Sequence, residues 1–290
     1  AIRLARAYTG RDHVAVCGYH GWQDWYIGST TRDLGVPQAV KDLTYTFQYN
    51  DLSSLARLCD QYDGQLAAVI MEPVNVTKPK PGFLEGVQAL AKKQGAVFIF
   101  DETITGFRFA PGGAQEYYGI LPDITILAKA IANGFPVAAI TGNKKLMSLL
   151  TQGKVVHGGT YNSQFLSMIA TVKTLENYSK YNFHNELNNK TMFLKDGLEK
   201  VLFDEKITSI LSSFPGFMFC GFGTNKQPKE YRDLLNLNNE MYSSFCLEMI
   251  KRGVRTLERG AWFISIEHSQ DILEETIDIA KHAIVALKTK

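Results

Sequence analysis

Apolar residues fall in two rhythms along this chain. Between positions 13 and 142, short unbroken apolar runs recur: HVAVCG, LAAVIMEPV, AVFIFDE, PDITILAK and FPVAAITG. Such runs, bounded by Gly, Pro or charge, predict strands buried on both faces, as in a parallel sheet. LTYTFQYND alternates instead and predicts a further strand. Between the runs the spacing turns helical. LSSLARLCDQYDG follows Asp51, a residue type that caps helix starts, and PGFLEGVQALAKKQG is framed by Pro81-Gly82 and Gly95. Residues 1–8 read as an amphipathic helix with Ile2, Leu4, Ala5 and Tyr8 near one face. QDWYIGSTTRDLGV is polar, aromatic and glycine-dotted, and predicts a mobile loop.

A helix beginning near Asn162 places Phe165, Met168, Ile169, Val172 and Leu175 on one face. Past residue 181 the pattern changes to a long helix through NELNNKTMFLKDGLEKVL, a short strand at FMFCGFG and a helix through NNEMYSSFCLEMIKRG. RTLERGAWFISIEHS and a last helix over 272–287 complete it. Up to about residue 181 the pattern fits an α/β fold with a mostly parallel central sheet flanked by helices, and beyond it helices and strands alternate; length alone allows one large domain or two.

Composition adds exclusions. At 290 residues, 45% hydrophobic and 21% charged, the chain can bury a sizeable core. Its 31 basic and 29 acidic residues leave a net charge of +2, with no general pull toward nucleic acid or an anionic membrane. Cys17, Cys59, Cys220 and Cys246 form no Cys-x-x-Cys pair and have no His-x-x-x-His partner, so neither zinc nor a disulfide framework is predicted. Reduced thiols, no bilayer-length apolar run and no signal-peptide core in AIRLARAYTGRDH place the expected protein in the cytoplasm.

Two run ends carry candidate chemistry. Asp101-Glu102 closes VFIFDE, and Lys129 closes ITILAK. Open α/β sheets bind ligands at strand C-termini, so both are expected to face one crevice. A carboxylate beside a lysine suits pyridoxal 5'-phosphate (PLP). The amine forms an imine with its aldehyde, and the carboxylate keeps its ring nitrogen protonated. Desolvation in the crevice is expected to lower the lysine's pKa. Plainer readings exist, because acidic pairs after strands often cap helices or sit in solvated turns, and lone lysines are usually surface charges. A metal hydrolase built on Asp101 and Glu102 lacks the histidine ligands such a site recruits, and no metal is assigned.

PKPGFLEGVQALAKKQGAVFIFDETITGFR and GGAQEYYGILPDITILAKAIANGFPV, with the collinear motifs around them, resemble the class III aminotransferases of PLP fold type I. The likeness is greatest to the glutamate-1-semialdehyde 2,1-aminomutase branch. It covers nearly the whole chain, densest over 79–137 and thinnest after 180. It implies a large PLP-binding domain over 1–181, without the family's N-terminal part, and a small C-terminal domain over 182–290. It implies Lys129 as the catalytic lysine, joined to PLP as an imine, with Asp101 against the ring nitrogen. Tyr19, in Gly18-Tyr19-His20-Gly21, is implied to stack on the ring, and His20 beside it joins the cofactor-binding residues. Glu72, of Glu72-Pro73, and Glu102 are implied to organise hydrogen bonds around the cofactor. Thr160, in His157-Gly158-Gly159-Thr160, is implied to bind the phosphate in a neighbouring subunit, which makes the active unit a homodimer. Helix capping is the other use of such a threonine.

The chain departs from the family pattern in several places. The family's Ser-Gly-Thr phosphate turn, which precedes the first helix, has no counterpart here. Val76-Thr77 stand for its Gly-Asn, Ala128-Lys129 for its Gly-Lys, and Ala132-Asn133-Gly134 for its glycine run. The resemblance implies that Arg255, Glu258 and Arg259 lie in the segment from which the family's small domain contributes a substrate-facing charge, without deciding which of them faces the pocket; a solvated turn is the equal alternative. Trp22, Trp25 and Tyr26 are expected to shape the substrate pocket or to pack their loop on itself. The function implied is PLP-dependent amino transfer, from a small-molecule donor to a keto or aldehyde acceptor, or within one skeleton as in an aminomutase. The alternative is a non-catalytic relative acting as a dimeric binding module. The missing phosphate turn favours it, and Lys129 with Asp101 stand against it.

Overall fold

The computed structural model describes residues 1–74, 76–228 and 231–288, and the chain divides into two compact units. One is built on Ala1–Tyr181, the other on Asn182–Pro228 and the chain from Asp233 onward. The first unit opens with α1 (Ile2–Thr9), β1 (His13–Cys17), α2 (Asp24–Ile27), α3 (Gln38–Lys41) and β2 (Thr44–Thr46). It continues through α4 (Leu52–Gln61), β3 (Leu66–Met71), α5 (Phe83–Gln94), β4 (Val97–Glu102), α6 (Gly113–Tyr118) and β5 (Ile124–Leu127). β6 (Ala139–Gly142), α7 (Lys144–Thr151) and α8 (Phe165–Lys180) complete it. The six strands form one sheet in the order β2-β1-β3-β4-β5-β6, parallel except where β6 pairs antiparallel with β5.

β3 and the first four residues of β4 are apolar without alternation because helices cover both faces of the sheet. Cys17, Met71 and Phe100 pack with Leu55 of α4 and Val87 of α5. Val16, Ile70 and Ile99 face the other way, toward Leu4 of α1 and Leu146 of α7. Successive strand residues point to opposite faces, so this parity puts Asp101 with Ile99 and Glu102 with Phe100. Local signals set the helix ends. Asp51 accepts from the Ser53 and Ser54 amides at 3.0 and 3.3 Å, and Gly95 ends α5 at a φ of 62°.

Three expectations change. β2 takes only Thr44–Thr46 from LTYTFQYND, because Phe47 and Tyr49 turn into the α4–α5 core and the Tyr49 hydroxyl donates to the Pro73 carbonyl at 2.8 Å. The expected loop over 23–36 begins instead with α2, whose Tyr26 is buried with its hydroxyl donating to the Gly18 carbonyl at 2.9 Å. α8 starts at Phe165, and its apolar stripe is not core: Phe165 is 74% and Val172 53% exposed, with Ile169 and Leu175 exposed beside them.

The second unit holds α9 (His184–Asp204), β7 (Ser209–Phe214), β8 (Phe217–Phe222), α10 (Asn239–Lys251), β9 (Ala261–Phe263) and α11 (Gln270–Lys288). Its three strands form an antiparallel sheet in the order β7-β8-β9. Met218, Phe222, Phe245, Met249 and Trp262 fill its core, and the Trp262 indole donates to the Tyr242 hydroxyl at 2.8 Å. α9 and α11 approach closely at Gly197, where a Cβ would lie 2.8 Å from Ile277 Cγ1. Gly197→Val is expected to push these helices apart and lower stability by about 3 kcal/mol, read as a lower denaturant midpoint at unchanged slope. Among the described residues no helix is long and apolar enough to cross a membrane.

Candidate active site

Four neighbouring parallel strands end along one edge of the sheet, and the candidate residues sit there. β1 leads into Tyr19 and His20, β3 into Glu72, β4 ends in Asp101-Glu102, and β5 leads into Lys129. Open α/β sheets bind ligands at this edge.

His20 and Asp101 form its buried centre. His20 Nδ1 lies 2.8 Å from Asp101 Oδ2, and Nε2 lies 3.0 Å from the Cys17 carbonyl. Both partners are acceptors, so the ring satisfies them only by carrying both protons. Burial opposes that charge, but the hydrogen bond and charge of Asp101, with the charge of Glu72, outweigh it and raise the His20 pKa. Burial alone would also raise Asp101, yet His20 and the Thr103 amide, 3.1 Å from Oδ1, hold it below the usual carboxylate range. Asp101 thus stabilises the fold above ordinary carboxylate pKa values and stops doing so as pH falls through its lowered one. His20 stabilises it below the ordinary imidazole pKa and stops as pH rises through its raised one.

Tyr19 and Glu72 flank this pair. The Tyr19 amide donates to Glu72 Oε2 at 2.9 Å; the residue is 46% exposed, and its ring lies edge-on to Tyr26. Trp25 stacks on His20 with centroids 6.1 Å apart, so Trp25 and Tyr26 pack against the buried pair, whereas Trp22 is exposed. Gly18 is required twice over: its φ is 104°, and a Cβ would lie 2.6 Å from Glu72 Oε2.

The Glu72 pKa is pushed up to about 7, first by burial and further by the charge of Asp101, against the charges of His20 and Lys129. A carboxyl raised in this way withdraws stability as pH climbs from its ordinary pKa through the raised one. Glu72→Gln is therefore expected to stabilise the cofactor-free chain by about 2 kcal/mol near pH 8 and not near pH 4, compared by denaturant unfolding at both.

Glu102 lies on the other face of the sheet. It accepts from the Thr105 hydroxyl at 2.8 Å, the Ala114 and Gln115 amides at 2.6 and 3.0 Å, and the Gln115 side chain at 3.1 Å. It organises loop 103–113 and the start of α6, away from the Asp101 pair. Lys129 opens a 3-10 turn, Lys129–Ile131, at a φ of 48°, and its side chain is exposed.

A model of the family described as Aminotransferase class-III matches residues 1–287. The chain belongs to the class III aminotransferase family. Glutamate-1-semialdehyde 2,1-aminomutase of Citrifermentans bemidjiense is 36% identical to it, over 99% of this chain and 71% of that protein. The omega-transaminase from Sphaerobacter thermophilus superposes with a TM-score of 0.88 at 26% identity, over 99% of this chain and 71% of that one. A glutamate-1-semialdehyde-aminomutase from Pseudomonas aeruginosa PAO1 shares the fold, with a TM-score of 0.85 at 23% identity over 99% of this chain and 68% of that one. Family and fold class agree with the resemblance read from the motifs.

The class III motifs do not all converge. Thr160 is exposed in the turn before α8, outside the hydrogen-bonded cluster. Nor does it cap that helix, since Gln164 accepts from the Ser167 amide at 2.9 Å in that role. Arg255, Glu258 and Arg259 are exposed in the segment between α10 and β9. Sequence reasoning missed Thr103, whose amide bonds the Asp101 side chain two residues back. An Asp before a turn is the available signal for that bond.

Proposed function

We propose that this class III aminotransferase carries out PLP-dependent amino-group transfer with Lys129 as its catalytic lysine. The observation that supports this most is the buried His20–Asp101 pair, one strand away from the turn that presents Lys129. The residues fit the cofactor. Asp101 is held ionised, as a partner for a protonated ring nitrogen must be, and Tyr19 and Lys129 are both exposed residues at this edge. When bound, PLP supplies an aldehyde that captures amines and a ring that draws electrons from the substrate carbon.

The chain's own residues do the rest. Asp101 holds the proton at the ring nitrogen, and cationic His20 keeps the Asp101 carboxylate ionised. Lys129 Nζ removes the proton from the substrate carbon bearing the amino group. Tyr19 covers one face of the ring and excludes water, and Glu72 fixes Tyr19 through its backbone amide. Thr160 serves the phosphate of a neighbouring subunit in a homodimer that buries the apolar stripe of α8. The large domain spans 1–181 and the small one 182–290. Four buried free cysteines accord with the reducing cytoplasm. Nothing in the site favours the non-catalytic reading.

The test is a screen of amino donors against keto and aldehyde acceptors, glutamate-1-semialdehyde included, with isotopically labelled amino nitrogen. Label that returns to its own carbon skeleton marks an aminomutase, and label found in a second acceptor marks a transaminase. No movement of label from any donor contradicts amino transfer.

A further inference from the structure

The turn that carries Lys129 adopts a backbone conformation that its residues disfavour. Lys129 has a φ of 48° and Asn133 a φ of 44°. In this left-handed region the Cβ crowds the following carbonyl, and only glycine enters without cost. Asparagine tolerates it better than most residues, and lysine does not share that advantage. The turn's own hydrogen bonds sit at the upper end of the ordinary range: the Ile131, Ala132 and Phe135 amides each lie 3.2 Å from their acceptors. A strained turn calls for support beyond these bonds.

Support comes from α8. The Tyr178 hydroxyl lies 2.9 Å from the Ala130 carbonyl oxygen and 3.3 Å from Asn133 Oδ1. A single phenolic proton serves one of them. Donated to Ala130, it leaves the phenol oxygen to accept from the Asn133 side-chain amide, whose nitrogen and oxygen exchange places by a half-turn. The Tyr178 ring stacks on Phe107, with centroids 5.7 Å apart and planes 27° apart, and Phe107 is itself left-handed at a φ of 62°. Burial raises the Tyr178 pKa against the pull of Asn133 and Arg108, so the phenol keeps its proton for donation.

We infer that Tyr178 is a positioning residue for Lys129. Its hydroxyl ties Ala130 to Asn133 and holds the lysine in the left-handed turn that presents its side chain beyond the strand end. The role deepens the reading of Lys129 as the cofactor lysine and rests on it. It also accounts for a chain that carries Asn133 in place of a family glycine: a side chain that reaches Tyr178 offsets part of the cost of its own conformation.

Tyr178→Phe in the full chain removes the hydroxyl and keeps the ring on Phe107. Two readouts follow it: amide exchange by mass spectrometry, and capture of added PLP followed by growth of its long-wavelength absorption. Amides of 129–135 are expected to exchange about tenfold faster, with the remaining peptides and the thermal midpoint at parent values. PLP capture is expected to slow by about tenfold, a change that anchoring of α8 alone would not produce. Asn133→Ala shares the same network, so the double variant should exchange little faster than Tyr178→Phe. Parent-like exchange at 129–135 overturns the inference. So do faster exchange confined to α8 with PLP capture unchanged, and fully additive effects of the two substitutions. A parent chain that captures no PLP would refute the proposed function, while the exchange pattern would still decide the role of Tyr178.

Discussion

Lys129→Ala is expected to lower amino transfer by about 10⁴-fold or more and to shift the thermal midpoint by no more than about 3 °C. The two halves of this result have separate causes. Lys129 is exposed, so truncating it removes no core packing and creates no cavity. It also introduces no new backbone strain, because alanine and lysine meet the same cost at a φ of 48°. What disappears, on the proposed function, is a single amine that would serve both as the attachment point for the cofactor aldehyde and as the base at the substrate carbon. Small added amines should recover part of the proton transfer and none of the attachment. Steady-state rates with the best donor found by the labelling screen, alongside thermal melts, check both halves. A variant within about tenfold of the parent would move the chemistry to another lysine.

Asp101→Asn is expected to reduce the rate by about 10³-fold while the cofactor is still captured. Asparagine keeps the shape of the side chain but has no charge with which to hold a proton at the ring nitrogen. The change also reaches His20. Its pKa is raised mainly by the hydrogen bond and charge of Asp101. Without them burial prevails, the imidazole becomes neutral, and a neutral ring donates to only one of its two partners. The variant should therefore lose stability as well, by about 2 kcal/mol near neutral pH. That difference should narrow in acid, where Asp101 of the parent protonates, and again in alkali above the raised His20 pKa, where the parent loses its own charge pair. Denaturant unfolding across that range, with rates measured on the same preparations, separates the catalytic loss from the structural one. An uncharged variant as active as the parent would show that Asp101 does not govern the ring nitrogen.

Much of this site was legible because parallel strands announce themselves. VFIFDE and ITILAK are runs that only a sheet covered on both faces can bury, and the rule that ligands gather at strand ends then pointed to Asp101 and Lys129. The pairing of His20 with Asp101 was not legible, since the two stand 81 positions apart and meet only because β1, β3 and β4 lie in register. Glu102 illustrates parity: adjacent residues at a strand end face opposite sides, and its carboxylate serves the 103–113 loop and α6. The exposure of the α8 stripe was not legible, because helical periodicity marks an apolar face without saying what covers it. β7 was overlooked because SILSSF interrupts its apolar positions with serines, and its burial pattern is correspondingly mixed. The left-handed turn at Lys129 left no trace in composition, and neither did its bond to Tyr178.

The central claim is that Lys129 is the residue that takes the cofactor. The most direct measurement is to load the chain with PLP, reduce it with borohydride, digest it and map the modified lysine by mass spectrometry. A single pyridoxyl adduct on the peptide containing Lys129, absent without reduction and absent from Lys129→Ala, is the predicted result. An adduct on a different lysine, or none on a folded chain, would contradict it.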